Sequence, residues 1–393
     1  MTGSDLKKLK AMICNEVEAH REELIDLSLS IHAHPELSFQ EEKASGWLSE
    51  HLRRNGFSVE RGICELPTAF KGSYGQGKPA IAFLAEYDAL PQIGHGCGHN
   101  IIAASSAGAG VAAKLAVDRF GGSILVIGTP AEELYGGKAI LMERGAFNGV
   151  DAAMLVHPGV RNITITRALA CTALEVEFFG KAAHAAAHPE QGINALEAML
   201  LAFNGINSLR QHIKNRARIH GIITDGGGAA NIVPAHSAGS FLVRAEDDAY
   251  LEELKQKVVN CFMGASIASG ARLEYRWGET RYVSLRTNLT LAQVLARNME
   301  ALGRKVEPFD PESGFGSTDM GNVSQALPAI HPSVVIAPPE ISIHSPEFAS
   351  AAASEAGHRG LLDAAKAMAM TAADLIADPE ILAEVKREFS QGG

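Results

Sequence analysis

Residues 80–100, AIAFLAEYDALPQIGHGCGHN, predict the core of the fold. The first six, Ala80–Ala85, are a short and wholly apolar run, and a long stretch of small apolar residues follows at His99–Arg119. The short run predicts a buried strand, and the long stretch predicts a buried helix. The segment that joins them carries acidic residues, glycines, histidines and a cysteine. We therefore expect a strand and a helix connected by a loop with several metal-binding side chains.

The same alternation of strands and helices continues on both sides of this stretch. Two N-terminal helices are predicted, with a capping box at Ser38–Glu41 and a helix end at Gly56. The later elements are a strand at 123–128, a helix at 138–144, a strand at 151–156, a helix at 289–302, an extended stretch at 328–336 and a helical C-terminus. This alternation predicts an α/β fold with a mostly parallel mixed sheet flanked by helices.

The pattern changes in the middle of the chain. Residues 172–179, TALEVEFF, alternate between apolar and polar side chains, and a helical stretch follows at 193–214. Strands at 220–224, 237–244 and 271–277 and a helix at 249–269 complete a smaller α+β unit. We therefore expect a catalytic domain at 1–170 and 285–393, interrupted by a lid or dimerisation domain at 171–284.

Composition excludes several classes of function. The 393 residues contain 35 Lys and Arg against 45 Asp and Glu, a net charge of −10, with no basic stretch. Nucleic acid and membranes are therefore not expected partners. The five cysteines are scattered and include no C-x-x-C pair, which argues against disulfide scaffolds and zinc fingers. The N-terminus lacks a signal peptide pattern, and no apolar run of about 18 residues stands out, so a cytoplasmic protein is expected.

Metal-binding residue types follow the predicted strands. Open α/β sheets build their sites at the carboxyl ends of the strands, so these side chains are expected to lie close together. The candidates are Cys97, His99, Glu132, Glu133, His157 and His344. Each alone is ambiguous, because a buried thiol or a lone histidine is commonly structural. Together, five N, S and O ligands with one spare carboxylate are typical of a two-metal hydrolytic site.

The sequence resembles a known family of metallopeptidases. This family includes zinc-type aminoacylases, carnosinases, ArgE/DapE enzymes and auxin-conjugate amidohydrolases. The resemblance covers essentially the whole chain, with its motifs in family order. GCGHN and GSTDMGNVS are similar to the amidohydrolase branch that contains aminobenzoyl-glutamate hydrolases and β-alanyl-lysine dipeptidase-like proteins. The motifs are IHAHPELSFQEEKAS (31–45), FLAEYDALPQIGHGCGHN (83–100), TPAEE (129–133), MLVHPG (154–159), GKAAHAA (180–186), ANIVPAHSAGSFLVR (230–244), GSTDMGNVSQALPAIHP (316–332) and HSPEF (344–348).

The resemblance implies a role for each matching residue. It implies two divalent metal ions, with zinc first and manganese, cobalt or nickel as alternatives, bound by Cys97, His99, Glu133, His157 and His344. Glu132 matches the general base that activates water. His184, on the inserted domain, matches a histidine that in relatives reaches the partner subunit's active site and stabilises the oxyanion. Asn231 and Arg244 match positions that contact the substrate carboxylate. The implied function is hydrolysis of the amide bond of an N-acyl amino acid or small dipeptide by a homodimer.

Two departures and two rival functions accompany this interpretation. Glu86-Tyr87-Asp88 stands where the dizinc peptidases of the family have a ligand histidine and, two residues later, a bridging aspartate, so neither of these ligands is carried over. Asn100 replaces an aspartate that is common in the amidohydrolase branch. The rivals are a cysteine hydrolase that uses Cys97 and His99, and a non-enzymatic, metal-stabilised binding protein. A dinucleotide-type glycine pattern at 108–113 is set aside, because it lies inside a predicted helix.

Overall fold

The structure, a computed structural model, describes residues 3–311 and 316–391. The chain divides into a larger unit, which runs to Arg167 and resumes at Leu285, and a smaller unit, Ala168–Ser284. The first segment of the larger unit contains α1 Gly3–Ala19, α2 Arg21–Ala33, α3 Glu42–Arg54, β1 Ser58–Arg61, β2 Phe70–Gln76, β3 Ala80–Ala85, α4 His99–Phe120, β4 Gly122–Gly128, α5 Gly137–Glu143, β5 Ala152–Met154 and β6 His157–Gly159. The smaller unit contains β7 Ala170–Phe179, α6 Ala195–Leu209, β8 Arg218–Asp225, β9 His236–Ala245, α7 Asp248–Ser269 and β10 Arg272–Tyr282. The final segment contains α8 Leu289–Ala301, α9 Met320–Ala326, β11 Ala329–Ile330, β12 Ser333–Val335, α10 Pro346–Ala352, α11 Glu355–Ala377 and α12 Pro379–Gln391.

Six strands of the larger unit form one sheet in the order β1-β2-β4-β3-β5-β11. The strands β4, β3, β5 and β11 are parallel, whereas β1 and β2 add an antiparallel edge. Every residue of β3 is buried, as its apolar sequence predicts. The strands β6 and β12 form a separate parallel pair. The predicted α/β class is confirmed, and the carboxyl ends of β3, β4 and β5 share one edge.

Helix α4 packs in the core through its small residues. An ideal Cβ on Gly110 would lie 2.4 Å from Val126 Cγ2, and one on Gly108 would lie 2.7 Å from Leu24 Cδ1. These glycines therefore allow close packing within a helix, which agrees with setting the dinucleotide pattern aside. By length and composition α4 could cross a membrane, but 89% of its most apolar window is buried inside the protein. That burial is typical of a core helix.

The first sixty residues differ from the prediction in two respects. They form three helices rather than two, and the predicted capping box is wrong. The side chain of Glu41 is buried and accepts a hydrogen bond from the distant Ala131 N–H, while the Ser38 hydroxyl donates to Asp88. The carboxylate of Glu36 instead accepts from two N–H groups in the first turn of α3. Gly56, with φ of +85°, follows the end of this helix as predicted.

The smaller unit is an antiparallel sheet in the order β10-β7-β9-β8, with α6 and α7 packed on one face. The alternation of residues 172–179 accounts for this arrangement. Leu174, Val176 and Phe178 point into the core, while Glu175 and Glu177 between them are exposed. Strand β10 extends five residues beyond the predicted 271–277, with an irregularity between Trp277 and Arg281.

Candidate active site

The five residues predicted to bind metal meet at the carboxyl edge of the central strands. The loop between β3 and α4 carries Cys97, and His99 is the first residue of α4. Glu133 lies in the loop after β4, His157 begins β6, and His344 precedes α10. Most of these segments are far apart in the chain, and the loops after β3 and β4 meet the β6–β12 pair and the loop before α10 at this edge.

The side chains of these residues are in mutual contact. The Cys97 Sγ atom lies 3.3 Å from the Nε2 atoms of both His157 and His344. The Glu133 Oε1 atom lies 3.5 Å from His344 Nε2 and 3.8 Å from His99 Nε2. The five donors therefore form one connected cluster. His344, with φ of +68°, adopts a backbone conformation that non-glycine residues rarely use, as functional sites often require.

Hydrogen bonds set the direction in which two of the histidines present their free ring nitrogen. The His99 Nδ1–H donates to the backbone oxygen and the carboxylate of Asp88, both at 3.0 Å. The His157 Nδ1–H donates to the Pro158 carbonyl at 2.7 Å. Each Nε2 lone pair therefore faces the cluster, as metal ligation requires. Burial also lowers the pKa of His157 to about 3, so this imidazole is neutral.

The donor set fits two divalent ions. Cys97 belongs to one group of three donors with His99 and His157, and to a second group with Glu133 and His344. A third group joins Glu132 to His99 and Glu133, so the Glu132 carboxylate lies directly beside these donors. The buried Nε2 of His99 and Oε1 of Glu133 have no hydrogen-bond partner among the described residues. Such orphaned polar atoms are costly unless a ligand satisfies them. Thiolate, imidazole and carboxylate donors are those that zinc-type ions accept.

Glu132 is the spare carboxylate beside this cluster. Its side chain is buried, and burial, together with the nearby Glu86 and Asp319, raises its pKa well above the usual value. The backbone of the loop that carries Glu132 is sterically constrained. Ala131 has φ of +62°, and a Cβ on Gly137 would lie 1.8 Å from the Pro130 oxygen, so the chain passes close to itself there. A carboxyl group with a raised pKa is suited to general acid–base chemistry.

The sequence pattern did not reveal a buried ion-pair group next to Glu132. The Lys138 Nζ atom is fully buried, 2.5 Å from Glu86 Oε1 and 2.6 Å from Asp319 Oδ1. Burial alone would raise the pKa of Glu86, but the attraction of Lys138, together with that of His99, His331 and His157, lowers that pKa to about 2. A single lysine in a short predicted helix gives no indication in the sequence that its side chain is buried. Asp319 lies in GSTDMGNVS, so only that motif could have indicated this group.

A cavity of about 470 Å³ opens beside the cluster within the larger unit. Cys97, His157 and His344 line one side of it, and Val160, Ile163, Ile165 and Phe309 contribute apolar walls. His331 also lines this cavity, with its ring 5.3 Å from that of His157, and the sequence pattern did not single it out. The volume is in the range of small-molecule sites.

The remaining predicted site residues lie in the smaller unit. His184 is exposed, and its Nδ1 accepts from the N–H groups of Ala186 and Ala187. The segment of Asn231 lies beside it, because the Ala185 N–H donates to the Asn231 carbonyl at 3.1 Å. Arg244 is half-buried on β9, opposite Arg218 of β8. The structure thus brings His184 and Asn231 onto adjoining segments and places Arg244 on the sheet.

The fold and the convergent donor set together define a class of protein, the metal-dependent hydrolases with an α/β sheet. The chain belongs to the peptidase family M20/M25/M40, whose model matches residues 82–367. It is therefore a hydrolase of amide bonds, and the predicted family and enzyme class are confirmed.

Individual relatives agree with this assignment. The chain is 35% identical to the Xaa-Arg dipeptidase of Mus musculus, over 99% of this chain and 94% of that protein. It is 29% identical to one of the p-aminobenzoyl-glutamate hydrolase proteins of Escherichia coli strain K12, over 98% and 96% of the two chains. Among solved structures, a dinuclear metal-binding M20 peptidase of Bacillus subtilis matches with a TM-score of 0.67 and 20% identity, over 92% and 99% of the two chains.

Proposed function

We propose that this protein cleaves the amide bond of small dipeptides or N-acyl amino acids, with Glu132 as the general base. Two divalent ions are held by Cys97, His99, Glu133, His157 and His344. The observation that carries this proposal is the buried Glu132 carboxylate beside two donor groups that share Cys97. Structural metal sites are closed by their ligands, and a spare buried acid next to the donors is typical of a catalytic site.

The chain's own residues supply the proton transfers and the orientation of the substrate. Glu132 takes a proton from the attacking water and later gives it to the leaving amine, for which a raised pKa is suited. The metal ions, when bound, supply Lewis acidity that polarises the scissile carbonyl. His184 donates to the developing oxyanion, and Asn231 and Arg244 hold the carboxylate of the substrate.

The similarity to Xaa-Arg dipeptidase favours dipeptides with a C-terminal arginine as the first substrates to test. The second candidates are aminobenzoyl-glutamate and other N-acyl amino acids, because a p-aminobenzoyl-glutamate hydrolase protein is also a relative. All of these compounds carry a free carboxylate next to the scissile amide. That shared group matches the proposed role of Arg244, whose guanidinium can bind a carboxylate through two parallel hydrogen bonds.

A homodimer and a cytoplasmic location belong to the same proposal. Several apolar side chains of the smaller unit are exposed, with Ile222 at 65% and Ile267 at 83% of their full accessibility. An exposed apolar surface of this kind is typical of an association site. All five cysteines are free thiols, as is usual in a reducing compartment. Size-exclusion chromatography with light scattering should give twice the chain mass of 41.6 kDa. Full activity at the monomer mass would contradict the dimer.

The substrate proposal is tested with a panel of Xaa-Arg dipeptides, dipeptides with other C-terminal residues and N-acyl amino acids. The enzyme is stripped of metal and reloaded with zinc, manganese, cobalt or nickel before each assay. We expect turnover only after reloading, with zinc the first candidate because thiolate is a soft ligand. Absence of amide hydrolysis with every metal and every substrate class would contradict the proposed function.

The same assay separates the rival mechanisms. A cysteine hydrolase would retain activity in EDTA after exhaustive dialysis, and its Cys97 would need to ionise readily. Burial instead raises the pKa of the Cys97 thiol well above its usual value, which disfavours a thiolate nucleophile in the absence of a metal. A purely structural metal site would give a folded, metal-loaded protein without turnover.

A further inference from the structure

Lys138 is a buried cation whose surroundings resemble an oxygen-ligand metal site. Its side chain has no exposure to solvent. The ammonium contacts Glu86 Oε1 at 2.5 Å and Asp319 Oδ1 at 2.6 Å, and the Lys138 backbone N–H donates to Asp319 Oδ2 at 2.8 Å. Asp319 therefore binds both the main chain and the side chain of the same residue. A lysine is rarely fully buried unless it is paired in this way.

Three carboxylates meet around this ammonium. One oxygen each from Glu86, Glu132 and Asp319 lie within 4.8 Å of one another, a spacing that could hold a metal ion. Glu86 also connects this group to the five proposed ligands, because its Oε2 lies 3.5 Å from His99 Nε2. Carboxylate oxygens alone are the donors that manganese and magnesium prefer. Without Lys138, the group would form an oxygen-rich cation site next to the proposed active site.

We propose that Lys138 is a positioning residue whose ammonium takes the place of a metal cation. It neutralises the negative charges of Glu86 and Asp319 and prevents a divalent ion from binding Glu132. This role deepens the proposed hydrolysis and rests on it, because Glu132 is the general base there. A metal-bound carboxylate is a poor proton acceptor, so a divalent ion at this position would remove the base from the reaction. A lysine ammonium supplies fixed positive charge at the same place, with contacts to Glu86 and Asp319.

The test compares Lys138→Ala with the wild-type enzyme in their manganese-loaded forms. Alanine removes the charge and leaves space, so Lys138→Ala should bind one more Mn²⁺ per chain than wild type, measured by elemental analysis after equilibrium dialysis. A folded Lys138→Ala protein with the wild-type manganese content would overturn the proposal. If this variant folds only with excess Mn²⁺, and its Tm rises with Mn²⁺ more steeply than that of wild type, the proposal is supported.

A second variant covers the case in which Lys138→Ala does not fold. Lys138→Met fills the space without charge, so it should bind no additional Mn²⁺ and should have a kcat lower by about 10- to 100-fold, with KM little changed. A folded Lys138→Met enzyme with kcat within twofold of wild type would overturn the positioning role.

A control variant separates this role from the general effect of removing a lysine that pairs with a buried carboxylate. Lys386→Met loses a contact of 2.6 Å to the buried Asp151, at the start of β5 and away from the cluster. It should keep wild-type manganese content and kcat. If wild type itself binds metal but hydrolyses no substrate, the proposed function fails, whereas the Lys138→Ala manganese count still reports separately on Lys138.

Discussion

Asp88 is the residue that holds a proposed metal ligand in place. Its carboxylate accepts from the His99 Nδ1–H at 3.0 Å, from the Glu133 N–H at 3.0 Å and from the Ser38 hydroxyl at 2.9 Å. Burial would raise the pKa of Asp88, but the hydrogen bond from His99 and these other contacts lower it. The carboxylate is therefore charged and orients the histidine ring.

Replacing this carboxylate should weaken metal binding. We expect Asp88→Asn to lower metal affinity by about 10- to 100-fold, because an amide polarises and orients the imidazole less strongly. Competition with a chromophoric chelator measures the change. Asp118→Asn is the control, since Asp118 accepts from the Tyr74 hydroxyl at an exposed position. Equal metal affinity in Asp88→Asn and wild type would contradict the role assigned to Asp88.

The sequence indicated the proposed ligands better than it indicated the residues that hold them in place. Cys97, His99 and His157 each follow an apolar run that predicts a strand, so their position after a strand end made them candidate ligands. Asp88 was named only as the position of a bridging aspartate that is not carried over, and Lys138 was not recognised at all. Both act through contacts with residues distant in the chain, and no local pattern reveals such contacts.

Among the elements, α4 shows how packing overrides helix propensity. Gly110→Ala would normally favour a helix by about 1 kcal/mol, but its Cβ would lie 2.4 Å from Val126. We expect a net loss of about 1–3 kcal/mol in the free energy of unfolding, from overpacking. Gly264→Ala in α7 is the matched control, because its new methyl group would meet no neighbouring atom within 4 Å, and it should be stabilising. Urea unfolding measures both variants, and a stabilising Gly110→Ala would contradict this packing.

The start of β5 depends on the charge of Asp151. Its carboxylate accepts from the Ala80 N–H at 2.7 Å and from Lys386 Nζ at 2.6 Å, and it also pairs with Lys78. Burial would raise the pKa of Asp151, but the hydrogen bonds from Lys386 and Ala80 lower it. A lowered folded-state pKa stabilises the protein above the unfolded-state value, and this stability is lost as the pH falls through the folded-state value.

Asp151→Asn should therefore reduce the free energy of unfolding by about 1–3 kcal/mol at pH 7. The difference from wild type should begin to shrink as the pH falls below about 4, where the unfolded wild-type chain binds a proton at Asp151, and should be lost once the pH passes the lowered folded-state pKa. Urea titrations from pH 7 to the lowest pH at which both proteins fold measure this trend. A difference that is constant over the whole range would contradict the electrostatic origin.

Most elements were predictable because their hydrophobic periodicity is strong, as in β3 and β7. The strands β1 and β2 were not predicted, because Ser58–Arg61 is short and mostly exposed and Phe70–Gln76 contains two glycines. Pairing with neighbouring strands, such as that of β2 with β4, stabilises these segments as strands. Their own sequences do not indicate this pairing.

At the scale of the whole molecule, the smaller unit can be deleted by cutting the chain at two points that lie close together. The Thr287 hydroxyl donates to the Thr166 carbonyl at 2.7 Å, so the two cut ends of the larger unit lie close together. Joining Arg167 to Leu285 through a short glycine linker should leave a folded protein with the wild-type metal content. Turnover should fall at least ~10²-fold, because His184, Asn231 and Arg244 are absent. Turnover within tenfold of wild type would contradict a catalytic role for the smaller unit.

The most direct test of the central claim is the kcat of metal-loaded Glu132→Gln. Glutamine keeps the shape of the side chain and cannot accept the proton, so kcat should fall ~10²–10⁴-fold. The metal content should equal that of wild type, because Glu132 is not one of the five proposed ligands. A fully metal-loaded Glu132→Gln enzyme that retains more than about a tenth of the wild-type kcat would contradict Glu132 as the general base.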